Sequence, residues 1–142
     1  MRDRPDSNKP TVGVGSETGS DPTQLSVSRF RAFQNESQRL GLRVQERQRL
    51  LGGISIGAYH KWRRNESRAM SADLLGRLSV ALDLLKALRA IYPDPDAAHG
   101  WLERPNPDPP FDGQPPLELV TRGTDEDRQA VLRHLRDRAS GA

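Results

Sequence analysis

The sequence contains no cysteine, which excludes disulfide staples, thiolate metal sites and thiol nucleophiles together. Aromatic residues make up 5% of the chain and all hydrophobic residues 34%, so the interior must be small and built chiefly from Leu, Ile and Val. No uninterrupted apolar run approaches the ~20 residues that span a bilayer. The charged N-terminal stretch lacks the apolar segment that directs secretion. These absences lead us to expect a cytoplasmic protein without membrane attachment. His60, His99 and His134 are far apart and share no ligand spacing with a carboxylate cluster. The glycine-containing run GVGSETGS at 13–20 neither follows a strand pattern nor opens a helical one, as a phosphate loop would. With no Ser/His/Asp arrangement, the chain reads as non-enzymatic, with no cofactor and no metal.

The 142 residues are one domain's worth of chain with room for a tail. Residues 1–25 are Gly, Ser, Thr, Pro and charge with almost nothing to bury, the composition of a disordered leader. The net charge of +3 is unevenly spread: residues 26–70 carry ten Lys/Arg against three Asp/Glu, and residues 71–142 carry nine against twelve. A basic first part and a mildly acidic second part suggest two different partners, with ordinary surface charge as the competing reading. From Ser26, the residues Val27, Phe30, Phe33 and Leu40 recur at helical spacing, and Gly41 ends that element.

The stretch LLGGISIGAYHKWRRN at 50–65 decides the role of the first part. Val44 to Leu51 is a short helix pattern with apolar residues at 44, 50 and 51, broken by Gly52 and Gly53. Ser55 is a good N-cap for a second helix, in which Ala58, Tyr59 and Trp62 share one face. A buried strand would need strict alternation, which GAYHKWRRN does not have. Helix, glycine turn and amphipathic helix together make a helix-turn-helix, whose second helix reads the major groove. Its groove-facing set is Ser55, Ile56, Gly57, His60, Lys61 and Arg64. Lys61 and Arg64 suit guanine edges or phosphates, and Ile56 suits a thymine methyl. Arg63, Arg68 and the row Arg43, Arg47 and Arg49 read as phosphate contacts. For His60 alone, a solvated surface histidine is the favoured reading over a groove contact.

A longer helix follows, capped by Ser71, with Asp73 in its first turn and Pro93 stopping it. Leu74, Leu78, Ala81, Leu85 and Leu88 form one stripe, Leu75 and Leu82 widen it, and Val80, Leu84 and Ala87 extend it further round. Such a helix is too apolar for the surface of a small monomer. It is either the centre of the bundle, or part of a homodimer interface, or both.

The stretches LLGGIS (50–55) and YHKWRR (59–64), the leucine helix, AHGWLERPNP (98–107) and PPLEL (115–119) together carry a likeness. The chain from about 27 to 138 resembles the Xre/MbcA/ParS-type antitoxins, which join an Xre-like helix-turn-helix to a C-terminal toxin-binding domain. A Trp-Leu pair running into Pro-Asn-Pro, then a loop and Pro-Leu-x-Leu, is the most specific trait. The loop PDPPFDGQP (107–115) is longer and richer in proline than in many relatives, and Gly57 stands where a polar residue is more usual.

The resemblance implies an all-α fold. A disordered leader (1–25) would precede a helix-turn-helix region (26–70), then the leucine helix and a proline-punctuated toxin-binding domain (71–142). It also implies an antitoxin of a type II system that masks a RES-type, NAD-consuming toxin and represses its own operon. The partners would be that toxin and operator DNA. The alternative is a stand-alone regulator whose C-terminal domain only dimerises. Within the last part, Trp101, Leu102 and Leu117 fit a role in the chain's own core, and Asn106 and Phe111 stand out as toxin contacts. The closing helix is capped by Thr124 and edged by Val131, Leu132 and Leu135. Its arginines, Arg128, Arg133, Arg136 and Arg138, are expected to project outward, and the last three are candidates for an anionic toxin site. As a short terminal element, it should contribute less to the core than the helices it covers.

Overall fold

Ser71 sets the start of the helix on which the rest is built: its hydroxyl accepts a hydrogen bond from the Leu74 N–H at 3.2 Å. The computed structural model describes residues 22–64 and 70–141, which form seven helices and no strand. In chain order these are α1 (Pro22–Arg39), α2 (Val44–Leu50), α3 (Ile56–Arg63), α4 (Ala72–Ile91), α5 (Pro95–Glu103), α6 (Pro116–Arg122) and α7 (Asp125–Ala139). The all-α expectation is met. Residues 1–21 and Arg68 lie outside the described residues. Helix α1 starts at Pro22, four residues ahead of Ser26, so the last residues assigned to the leader are helical. Ser26 is buried and its hydroxyl accepts the Met70 N–H at 3.3 Å, which ties the start of α1 to the approach to α4.

Helix α4 is the centre of the bundle. Its buried residues, Leu78, Ala81, Leu82, Leu84, Leu85 and Leu88, cover a wide arc because α1 packs on one side and α7 on another. Each leucine so buried contributes roughly 1.5–3 kcal/mol relative to exposure. The apolar surplus that suggested a second copy is therefore absorbed within one chain, and this helix supplies no argument for a dimer. The exposed large hydrophobics among the described residues are Val44 (36%) and Ile56 (47%). An ion pair between Arg89 and Glu36 at 2.8 Å and a hydrogen bond from Arg29 to Ser79 fasten α1 to α4.

Helix α7 corrects a second expectation. It makes the most extensive helix–helix contact with α4, and Val131 and Leu135 are fully buried. The terminal helix is a structural wall of the core. Helix α6 lies against both α2 and α7, so the two parts of the chain share one continuous interior.

Candidate functional site

Two surfaces follow from this arrangement, one around α3 and one around the α5–α6 loop and α7. At the first, Gly52 and Gly53 both take φ +86°, a conformation that side chains with a Cβ rarely adopt. Their N–H groups donate to Arg49 O at 3.0 Å and Gln48 O at 2.8 Å, closing α2. The Gln48 amide then donates to Ile54 O at 2.9 Å, and the Ser55 hydroxyl accepts from the Ala58 N–H at 3.0 Å to start α3. Tyr59 and Trp62 point inward onto Phe30, with ring centroids 5.5 and 6.3 Å away. The packing of these two aromatics fixes which face of α3 remains outside.

That outer face carries Ser55, Ile56, Gly57, Lys61, Arg63 and Arg64, all exposed. His60 departs from the reading as a solvated histidine: it is half-buried beside Tyr59, and its Nδ1 is buried without a hydrogen-bond partner. Arg47 departs as well. Its guanidinium donates to Leu42 O at 3.0 Å and to the Tyr59 hydroxyl at 3.2 Å, and the same hydroxyl donates to Gln34. It stabilises the turn between α1 and α2 and is not a free cation for phosphate. Arg43 is paired with Glu46 at 3.2 Å, and the Glu46 carboxylate also accepts the Arg43 N–H at 2.8 Å. Arg49 is exposed and unpaired among the described residues.

At the second surface the loop between α5 and α6 is ordered by its own backbone. Asn106 N–H donates to Gln114 O at 3.1 Å, and Gly113 N–H donates to Asn106 O at 2.7 Å. The Asn106 side chain accepts the Asp108 N–H at 2.9 Å, so it is occupied in shaping the turn. Phe111 is 1% exposed. Its ring meets Trp101 edge-on at 5.6 Å and His134 edge-on at 5.0 Å, while Trp101 and His134 stack at 6.3 Å. The side chain expected on the partner surface is thus the plug that holds the loop down. The loop presents Asp108, Asp112, Pro107 and Pro109 outward instead, with Pro110 half-buried. Trp101 and Leu102 are buried and Leu117 half-buried, as a core role requires. Burial pushes the His134 imidazole below its ordinary value of 6.5, and nearby Arg138 adds to the shift.

The arginines of α7 divide four ways. Arg133 is exposed and unpaired among the described residues. Arg136 reaches Asp83 on α4 at 3.3 Å, and Arg138 lies 5.7 Å over the Tyr92 ring. At ~100° per residue these two flank the buried stripe on opposite sides, so the three do not make one patch. Arg128, expected to project outward, is buried. It donates to Val120 O and Gly123 O, each at 3.2 Å, and pairs with Asp125. It thereby satisfies carbonyls at the end of α6 that the helix itself leaves open. Arg128 and then Arg77, which lies 3.3 Å from both Asp125 oxygens, hold the Asp125 carboxyl below the usual range.

Glycine matters at two of these joints for steric reasons. A Cβ on Gly123 would lie 2.4 Å from Leu119 O, and one on Gly52 would lie 2.7 Å from Arg77 Cδ. The Gly52 contact comes from a residue distant in the chain and has no signature in the sequence, whereas Gly123 is hemmed in by its own helix and by Asp127.

The described residues hold no group of three His, Asp or Glu side chains placed to bind a metal ion, and no helix among them is long and apolar enough to cross a membrane. Residues 87–141, from the end of α4 through α7, match the antitoxin Xre/MbcA/ParS C-terminal toxin-binding domain. The fold and this match define an all-helical antitoxin with a toxin-binding region at its C-terminal end. The chain belongs to the Xre/MbcA/ParS antitoxin family. It is similar along most of its length to the uncharacterized protein y4oB of Sinorhizobium fredii (strain NBRC 101917 / NGR234). The two are 30% identical over 121 residues, covering 85% of this chain and 91% of the relative. No solved structure matches the chain significantly.

Proposed function

We propose that this antitoxin neutralises a RES-type, NAD-consuming toxin by masking its active site, and represses its own operon through α2, the glycine turn and α3 acting as a helix-turn-helix. The observation that carries the first half is the match of residues 87–141 to a toxin-binding domain. The loop from Asn106 to Gln114 and the exposed cations Arg133 and Arg138 form the contact surface in this reading. With Phe111 buried, the loop offers its backbone and carboxylates, and Arg133 and Arg138 offer charge to an anionic substrate site. Masking by surface complementarity needs no chemistry from the antitoxin, which acts here as a binding protein and not as an enzyme.

Operator recognition rests on the exposed set Ser55, Ile56, Lys61, Arg63 and Arg64, with His60 supporting the helix from its half-buried position. Operator reading by this kind of motif commonly uses paired copies, so the repressing species is proposed to be a homodimer, joined by a surface other than α4. Co-expression tests the assignment. The wild-type chain should restore growth and NAD content to cells producing the adjoining toxin. The double substitution Arg133→Glu, Arg138→Glu should fold, still repress the promoter and fail to rescue. If cells without a working promoter site are also unprotected by the wild-type chain, the protein is a regulator only.

A further inference from the structure

Between α2 and α6 the surface opens into a cavity of about 380 Å³ lined by Arg49, Gly52, Gly53, Thr121, Arg122 and Arg128, with Gly123 at its rim. None of these residues is acidic. Arg49 comes from the basic first part and is unpaired among the described residues. Arg122 comes from the toxin-binding region, and its one ion pair is an exposed one with Glu118 at 3.4 Å on the same helix. Pairs of that kind are worth only ~0.3–0.5 kcal/mol, so an arriving anion recruits Arg122 at little cost. Arg128 also lines the cavity, but its donors are committed and its charge is balanced by Asp125, so the anion is held by Arg49 and Arg122. On the open side a Cβ added to Gly53 would meet nothing within 4 Å, so a bulky anion can approach the bare backbone there.

The position of the pocket matters as much as its charge. Gly53 is two residues before Ser55, so its wall lies within roughly 7 Å of the start of α3 at ~3.5 Å per residue. A duplex engaged by Ser55 and Ile56 carries a phosphate every ~3.4 Å of axis on each strand, a spacing fine enough to offer one to a pocket this close to α3. We propose that this pocket seats a backbone phosphate of duplex DNA, so that Arg122, a residue of the toxin-binding region, forms part of the DNA footprint with Arg49. The proposal rests on the reading of α3 as the DNA-facing helix and extends it across the boundary between the two regions.

The test uses the full-length protein and fluorescence anisotropy between 50 and 200 mM salt. One duplex carries the promoter of its own operon and another of equal length is unrelated. Arg49→Ala and Arg122→Ala should each flatten the slope of log affinity against log salt by ~0.9 on both duplexes, the signature of one lost phosphate contact. The ratio of wild-type to variant affinity should then shrink about 3-fold across that salt range. Arg122→Lys should restore most of the slope, because a phosphate accepts either cation. Both side chains are exposed, so the variants should melt with the wild type. Unchanged slopes in both alanine variants, alongside weakened promoter binding by Lys61→Ala, would overturn the pocket while leaving the α3 reading intact. A wild-type chain that binds neither duplex overturns both.

Discussion

Replacing Arg128 with Met removes the guanidinium but keeps most of the volume, so it isolates the polar contribution of this residue. Three interactions go: the hydrogen bonds to Val120 O and Gly123 O, each 3.2 Å, and the pair with Asp125. A hydrogen bond from a charged donor is worth ~1.5–3 kcal/mol, and a buried carbonyl left unsatisfied costs ~1–3 kcal/mol. The Val120 bond is fully buried and the Gly123 bond only partly, so the second carbonyl regains water. Asp125 is half exposed and keeps Arg77 at 3.3 Å, so its loss is small. The expected destabilisation is therefore ~2–4 kcal/mol, a large share of the ~5–15 kcal/mol that holds a domain of this size. Urea unfolding should show the midpoint falling by ~1–3 M with an unchanged slope of roughly 1.5 kcal/mol per M. A midpoint within ~0.3 M of wild type would refute the view that this buried arginine caps α6.

Four further outcomes follow from the same geometry. Gly123→Ala should cost ~1–3 kcal/mol in urea unfolding, since its Cβ would fall 2.4 Å from Leu119 O. Gly76→Ala, in the interior of α4 with nothing within 4 Å of the new Cβ, should instead stabilise by ~0.5–1 kcal/mol. His134 binds its proton less readily folded than unfolded, so stability should fall as pH drops from the ordinary 6.5 through the folded value. The neighbouring Asp108 and Asp137 moderate that loss, and His134→Phe should remove this part of the pH dependence between pH 8 and 5 in denaturant titrations. Light scattering should give twice the 15.8 kDa chain mass if repression uses a pair, and a monomer at micromolar concentration would exclude a standing dimer.

What the sequence makes legible here is local chemistry. Ser55, Ser71 and Thr124 each have a side-chain oxygen that can accept a backbone N–H from its own helix, and each starts a helix in the structure. Gly41, Gly52 and Gly53 stand at positive φ where the helical patterns break. The inward Tyr59 and Trp62 and the leucine arc of α4 likewise follow from helical periodicity. What the sequence hides is the direction of side chains whose surroundings are assembled from distant parts. Phe111 lies in a proline-rich loop that looks like a free surface, yet Trp101, ten residues earlier, and His134, on another helix, close over it. Arg128 and Arg47 belong to rows of arginine that look solvated, and only the open carbonyls nearby decide that they turn inward.

Arg77 gives the junction between the two regions a genetic consequence. Its stem lies over Gly52 in the turn that precedes α3, and its guanidinium holds Asp125 at the start of α7. A chimera that takes the C-terminal half of a relative inherits a corner shaped around that relative's own residues at these three positions. Without the matching set, either the glycine turn loses its cover or the first carboxylate of α7 loses its cation. The two halves therefore cannot be traded as independent cassettes. Recombination that gives such an antitoxin a new partner should carry positions 52, 77 and 125 across together, or be followed by compensating changes at them.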